Sequence, residues 1–343
     1  MIRVLVVDDS PAVRDLLIYI LDADLEIKVI ATAGNGNDAI EAAARLHPDV
    51  ITMDIIMPGL DGIEAVRRIM ENDPIPTIII SATLNYGEQE NIFRAMEAGA
   101  IVVCEKPLGL RHPDFKKHAR KIVQSVKMVS QIKVVRRKKI FRTSEIKSQK
   151  PERAGLEIIA IGASTGGPMV LCTILAELKK DFPIPILIVQ HIAPGFLPGL
   201  VGWLSTKLEI SVEIAKDKQV AQPGCVYIAP DGFHMSVDQT YTLRLENQAP
   251  VNGMRPSISV LFKSVADAFN KSAMGILLTG MGKDGAEELL LMKNRGALTI
   301  AQDKESSVVY GMPGEANRLC AATYILPPDL ISEVLKKRTE RKG

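Results

Sequence analysis

Cysteine is sparse in this sequence. The 343 residues carry four, Cys104, Cys172, Cys225 and Cys320, widely separated and with no C-x-x-C pair or metal-ligand spacing. This excludes a disulfide-stapled secreted scaffold and a thiolate metal centre, and fits a reducing cytosol. Long apolar runs are missing as well. None approaches the roughly 20 residues of a membrane span, and the chain enters Ile2–Val7 without a secretory pattern. A cytoplasmic protein with no membrane insertion is expected. An excess of one charge is also missing: the formal net charge is +2, so the chain as a whole has no pull on a polyanion. Its length allows two domains, each with a sizeable core.

Residues 1 to about 122 alternate two patterns. Ile2–Val7, Lys28–Ala31, Val50–Met53, Thr77–Ile80 and Ile101–Cys104 are short and apolar, whereas Ala12–Asp22, Asn37–Leu46, Gly62–Met70 and Glu88–Ala98 have helical spacing. Five strands interleaved with helices predict a parallel sheet covered on both faces, with function gathered beyond the carboxyl ends of the strands. Those ends lead into Asp8-Asp9, Asp54, Ser81 and Lys106-Pro107. Three carboxylates converging at one edge repel unless a hard cation lies among them, which predicts a Mg²⁺ site with oxygen ligands. Asp54 is then a nucleophile toward phosphorus, with Lys106 neutralising phosphoryl oxygens and Ser81 donating a hydrogen bond. The competing reading makes Asp8 and Asp9 caps of the following helix, with Pro11 in its first turn. It leaves Lys106-Pro107 and the third acid unexplained.

The motifs VDDS at 7–10, MDIIMPGLDG at 53–62, SAT at 81–83 and EKP at 105–107 resemble a response-regulator receiver domain. The resemblance implies a flavodoxin-like fold, phosphorylation at Asp54, and Mg²⁺ held by Asp8, Asp9, Asp54 and the Ile56 carbonyl. It also implies contact of Lys106 with the phosphoryl group and a cis Lys106–Pro107 bond. The aromatic switch residue often found three positions before the lysine is Val103 here, so no ring can report phosphorylation. Residues 123–153 read as a basic linker, with eight Lys or Arg and one acid, Glu145, between Lys133 and Lys150. A nucleic-acid arm is the rival reading. With aromatics nearly absent and no helix-turn-helix pattern following, a solvated connector, partly helical near Ile122–Val135, is favoured. Acidic receptor or kinase surfaces are its other candidate partners.

The second half, 154–343, is organised around LEIIAIGASTGGP at 156–168. An apolar run, Ile158–Ile161, leads into Gly162-Ala163-Ser164-Thr165-Gly166. This is the G-x-S-x-G pattern that lifts a serine hydroxyl out of a tight strand-to-helix turn. A glycine-rich phosphate loop or a helix-capping serine fits the pentapeptide equally well. Two other runs, Ile186–Val189 and Gly275–Leu278, end in Gln190-His191 and Thr279–Asp284. If the three strands are parallel neighbours, Ser164, His191 and Asp284 meet at one edge. His191 would take the Ser164 proton, Asp284 would orient the imidazole, and the Met281 and Thr165 N–H groups would form the oxyanion hole. Taken singly, His191 reads as a loop residue and Asp284 as a cap of the helix over Ala286–Asn294. His234, in Pro230–His234, is the other candidate base, although a turn fits there too. The order Ser, His, Asp differs from the commonest serine-hydrolase scaffold. The Ser164 loop lacks G-x-G-x-x-G, and no G-x-x-x-x-G-K-[ST] occurs.

This order and the motifs IGASTGGP at 161–168, QHIAPGF at 190–196, CVYIAPDGFHM at 225–235, RPSISVLF at 255–262, TGMGKDG at 279–285 and AQDKESSVVYGMP at 301–313 resemble the chemotaxis protein-glutamate methylesterases, the CheB family. The resemblance runs through receiver, linker and catalytic domain. It implies two doubly wound parallel-sheet α/β domains, the second a Rossmann-like serine hydrolase. The implied activity is hydrolysis of glutamate methyl esters on methyl-accepting chemotaxis receptors, releasing methanol, with deamidation of receptor glutamine. Phosphate from the chemotaxis histidine kinase would relieve inhibition by the receiver, and the ester chemistry would need no metal. Thr165, Phe196, Met281 and Met312 would help dock the receptor helix. Asn252–Ser257, Leu197 and Gly314 depart from the usual Asn-Arg-His-Arg-Pro-Ser, threonine and arginine. A non-catalytic signalling module and a nucleic-acid regulator are the rival functions.

Overall fold

The computed structural model describes residues 1–81, 86–132 and 155–339, with the side chains of 86–90 and 338–339 left aside. The chain divides into two compact units, 1–148 and 149–343. Ala82 and Thr83 of the SAT motif and the basic run from Lys133 to Lys150 lie outside the described residues. Among those residues no helix is long and apolar enough to cross a membrane.

In the first unit β1 (Ile2–Val7), α1 (Pro11–Asp22), β2 (Ile27–Ala33), α2 (Gly36–Leu46), β3 (Val50–Met53), α3 (Gly62–Asn72), β4 (Thr77–Ser81), α4 (Tyr86–Ala98), β5 (Val102–Glu105) and α5 (Phe115–Val129) follow one another. The strands form one parallel sheet in the order β2-β1-β3-β4-β5. Every residue of β3 and β4 is buried, as a sheet covered on both faces requires. Each fully covered Ile, Leu or Val contributes about 1.5–3 kcal/mol. Asn35 caps α2 by accepting from the Asp38 N–H, and Asp61 caps α3 by accepting from the Glu64 N–H, each worth about 1 kcal/mol. The last helix, α5, runs to Val129, into the stretch expected to be partly helical near Ile122–Val135, because Ile122, Val126 and Val129 all bury one face. The Lys106–Pro107 bond is a correction to the expected cis form. It is trans, the form intrinsically preferred by about 0.5–1 kcal/mol, and the cis bond found among the described residues is Arg255–Pro256.

In the second unit β6 (Ile158–Ala163), α6 (Gly167–Leu175), β7 (Ile186–Gln190), α7 (Leu197–Lys207), β8 (Ser211–Ile214), β9 (Cys225–Ile228), β10 (His234–Val237), β11 (Leu243–Glu246), α8 (Ile258–Phe269), β12 (Ala273–Leu277), α9 (Ala286–Asn294), β13 (Leu298–Gln302), α10 (Met312–Arg318), β14 (Tyr324–Leu326) and α11 (Pro328–Thr339) are the main elements. Seven strands pair in the order β14-β13-β12-β6-β7-β9-β8, all parallel, while β10 and β11 form an antiparallel hairpin that packs on α8. The three apolar runs that end in Ser164, His191 and Asp284 are thus adjacent strands, with β6 between β7 and β12. Ile158 and Ala160 face a core shared with α8, α9 and α10, and the alternate residues Ile159 and Ile161 point to the other face.

Candidate active site and phosphoryl site

Register brings the serine and histidine together. Ala163 pairs with Gln190 across β6 and β7, so Ser164 and His191 are the next residues of neighbouring strands, and the His191 N–H donates to Ala163 O at 2.9 Å. Parallel strands lie about 4.8 Å apart, close enough for a side chain to bridge. Gln190 ties the two loops: its Nε2 donates to Ser164 O at 2.9 Å and to His191 O at 2.8 Å. On the other side the Ser164 N–H donates to Thr279 O at 3.0 Å. The turn after Ser164 depends on Gly166, whose φ of 78° is left-handed, and a Cβ there would stand 2.6 Å from Val308 Cγ2.

Asp284 reaches the histidine from β12. Its Oδ2 lies 3.1 Å from His191 Nε2, an ion-pair contact without the alignment of a hydrogen bond. The carboxylate also accepts from Asn252 Nδ2 (3.0 Å), Ser257 Oγ (2.8 Å), Ile258 N (2.7 Å) and Ser259 N (3.3 Å). Burial pushes the Asp284 carboxyl up, but the His191 ring and the donors from Asn252 and Ser257 outweigh it and hold it well below the usual carboxylate range. It is not a cap of α9, whose N-cap is Gly285. Because its folded pKa is depressed, the stabilisation this carboxylate gives is present above its unfolded value of 3.8 and is lost as pH falls below it. The Tm gap between wild type and Asp284→Asn is therefore expected to be widest near neutral pH and to close below about pH 4. Thermal melts across pH 7 to 2 check this, and a gap that stays constant to pH 2 refutes it.

The ring orientation was not legible in the sequence. An aspartate only accepts, so the Nε2 beside it carries the hydrogen, and the lone pair lies on Nδ1. Nδ1 is buried and has no hydrogen-bond partner, so the Ser164 hydroxyl, itself on a residue only 8% exposed, does not donate to it in this structure. Catalytic hydrogen bonds are often long before substrate binds. Neither the Thr165 nor the Met281 N–H donates to a backbone or side-chain acceptor among the described residues, and Met281 is exposed. His234 is excluded as the base because both ring nitrogens are engaged, Nε2 with Ala249 O and Nδ1 with Ser257 N. The segment Gly280–Gly285 reads G-x-G-x-x-G between β12 and α9, a match overlooked in the sequence. Two of its amides are held within the protein, Gly280 N by Val309 O and Gly285 N by Ser259 Oγ.

The first unit places a second set of groups at its own sheet edge. One oxygen from each of Asp8, Asp9 and Asp54 lies within 4.8 Å of the others, and Lys106 Nζ is 2.8 Å from both Asp8 Oδ2 and Asp54 Oδ2. Burial pushes the Asp54 carboxyl up and outweighs the lowering by Lys106. Asp54 Oδ1 accepts from the Ile55 N–H at 2.8 Å. Asp8 Oδ2 is buried and receives no hydrogen bond of normal geometry, and the Ile56 carbonyl accepts no backbone bond among the described residues. Three carboxylates brought together at one edge, with a free carbonyl beside them, form an all-oxygen donor set that fits a hard divalent cation. Ser81 is buried at the end of β4. The capping alternative for Asp8 and Asp9 does not hold, because Ser10 is the N-cap of α1. Arg14 instead braces the Asp8 and Asp9 carbonyls.

A family model described as CheB methylesterase matches residues 159–335, and one described as response regulator receiver domain matches 4–113. A Geobacter metallireducens protein named protein-glutamate methylesterase/protein-glutamine glutaminase 4 is 50% identical over 340 residues, 98% of both chains. A Nitrosospira multiformis protein named protein-glutamate methylesterase/protein-glutamine glutaminase is 48% identical over 349 residues, 100% of this chain and 98% of its own. The crystal structure of the Thermotoga maritima CheB methylesterase catalytic domain is 37% identical with a TM-score of 0.52, covering 54% of this chain and 99% of that one. The protein belongs to the CheB methylesterase family, with a response-regulator receiver domain ahead of the methylesterase domain.

Proposed function

We propose that the protein is a phosphorylation-controlled serine esterase that hydrolyses glutamate methyl esters on methyl-accepting chemotaxis receptors, releasing methanol, and deamidates receptor glutamine. The observation that carries the reading is the His191–Asp284 pair at the end of the strand next to Ser164, in a chain that matches methylesterases along its whole length. Ser164 Oγ attacks the ester carbonyl while its proton passes to His191 Nδ1, and Asp284 stabilises the imidazolium through Nε2–H. The oxyanion of the tetrahedral adduct accepts from the Thr165 and Met281 N–H groups. Collapse breaks the ester C–O bond, with the proton on Nδ1 leaving on methanol, and water repeats the sequence on the acyl-enzyme. A glutamine amide would follow the same path with ammonia as the leaving group.

In the receiver, Asp8, Asp9, Asp54 and the Ile56 carbonyl would hold Mg²⁺, which when bound supplies positive charge for phosphoryl oxygens. Asp54 accepts the phosphoryl group from the chemotaxis histidine kinase, Lys106 neutralises it, and Ser81 donates to it. The test is methanol release from methylated receptor membranes with and without acetyl phosphate. Wild type is expected to respond to the phosphodonor, whereas Asp54→Ala keeps a low basal rate that acetyl phosphate does not raise. A variant still stimulated rules out the switch at Asp54, and no release by wild type rules out the esterase.

A further inference from the structure

We infer that His234, which is not one of the three reacting side chains, is a positioning residue that keeps the Asp284 carboxylate on His191. The inference rests on the esterase reading above. His234 opens β10 and is 2% exposed. Its Nδ1 meets the Ser257 N–H at 3.2 Å, and its Nε2 meets Ala249 O at 3.0 Å. A backbone N–H only donates and a carbonyl only accepts, so these two partners fix the ring as neutral, with the lone pair on Nδ1 and the hydrogen on Nε2. An imidazolium would set two donors against each other at Ser257.

This ring ends a relay. Once its N–H is held by His234, Ser257 donates Oγ to Asp284 Oδ1 at 2.8 Å, and the next residue, Ile258, donates its N–H to Asp284 Oδ2 at 2.7 Å. Oδ2 is the oxygen that faces His191 Nε2. The same loop, from Ala249 at one end to Ser257 at the other, carries Asn252, whose Nδ2 donates to Asp284 Oδ1 at 3.0 Å. His234 therefore grips both ends of the loop that supplies two of the four donors to this carboxylate, Asn252 and Ser257, and that leads directly into the other two, Ile258 and Ser259 at the start of α8. Loosening it lets the carboxylate turn away from the ring that takes the serine proton. Misplacement of reacting groups by about 1 Å can cost on the order of 100-fold in rate.

The experiment compares three variants of the full chain by methanol release from methylated receptor membranes, with thermal melts of each. His234→Leu removes both contacts and is expected to lower kcat about 10- to 100-fold with KM nearly unchanged. In His234→Asn the side-chain oxygen takes the place of Nδ1 toward Ser257 N–H, and kcat is expected to return to within about fivefold of wild type. His234→Gln reaches Ala249 O instead and stays as slow as the leucine variant. Wild-type histidine labelled with ¹⁵N should show His234 with a bare Nδ1 and a protonated Nε2. The inference is overturned if kcat is unchanged in His234→Leu, if the three variants slow only in proportion to their loss of Tm, or if the ring is the other tautomer. Ser164→Ala run alongside separates the two readings. If it matches wild type, the esterase reading itself fails, whereas a dead Ser164→Ala with a fully active His234→Leu sinks only the role of His234.

Discussion

Ser164→Ala is expected to lower methanol release from methylated receptor membranes by on the order of 10⁴-fold or more while leaving phosphorylation of Asp54 intact. The substitution deletes the attacking oxygen and little else. The backbone of Ser164 is pinned by Thr279 O, Gln190 Nε2 and the Gly167 N–H, so the turn has no reason to move. Stability should change by less than about 1 kcal/mol. The amides of Thr165 and Met281 and the His191 ring remain, which leaves only the slow attack of water on a held ester. Methanol release and a phosphorylation assay on the same preparation check both halves. A variant as active as its parent would favour the signalling module, in which the cleft binds and does not hydrolyse.

For Asp284→Asn the expected loss in kcat is about 10⁴-fold, close to 5 kcal/mol on the barrier. The argument follows from the donors around the carboxylate. Oδ1 takes Asn252 Nδ2, Ser257 Oγ and Ser259 N, whereas Oδ2 takes Ile258 N and faces His191 Nε2. An asparagine has one oxygen, and it belongs where three donors already point. Its NH₂ then lies at the Oδ2 position and donates toward Nε2, which must become the acceptor. The hydrogen moves to Nδ1, and the nitrogen turned away from residue 284 can no longer take a proton. The Ile258 N–H also loses its acceptor, at a cost of about 1–3 kcal/mol in stability. Steady-state kcat together with thermal melts resolves the two effects. A drop in kcat below tenfold would mean that the carboxylate is not what sets the tautomer.

That Ser164, His191 and Asp284 gather at one sheet edge was legible for a simple reason. Ser164, His191 and Asp284 each follow a short apolar run, and parallel strands deliver whatever follows them to one edge. Asp8, Asp54 and Lys106 were legible on the same ground. What escaped notice is carried by other chemistry. The donors from Ile258 and Ser259 are backbone N–H groups, which have no residue signature, and Asn252 arrives from a loop more than 30 residues from Asp284 in the chain. Strands β8, β9 and β14 have only three or four residues each, too few to leave a clear periodicity. The length of α5 was available from the spacing of Ile122, Val126 and Val129. Which nitrogen of His191 faces Asp284 depends on packing around the ring, and no spacing in the sequence encodes it.

The strand order of the second sheet has one more consequence. Two strands, β14 and β13, lie outboard of β12 on one side, and β9 and β8 lie outboard of β7 on the other. Local opening begins where pairing is one-sided, at sheet margins, and reaches the middle last. The three strands that lead into Ser164, His191 and Asp284 are therefore expected to be the last to exchange their amide hydrogens with solvent, and mild denaturant that frays either margin is expected to leave the alcohol, the imidazole and the acid in register.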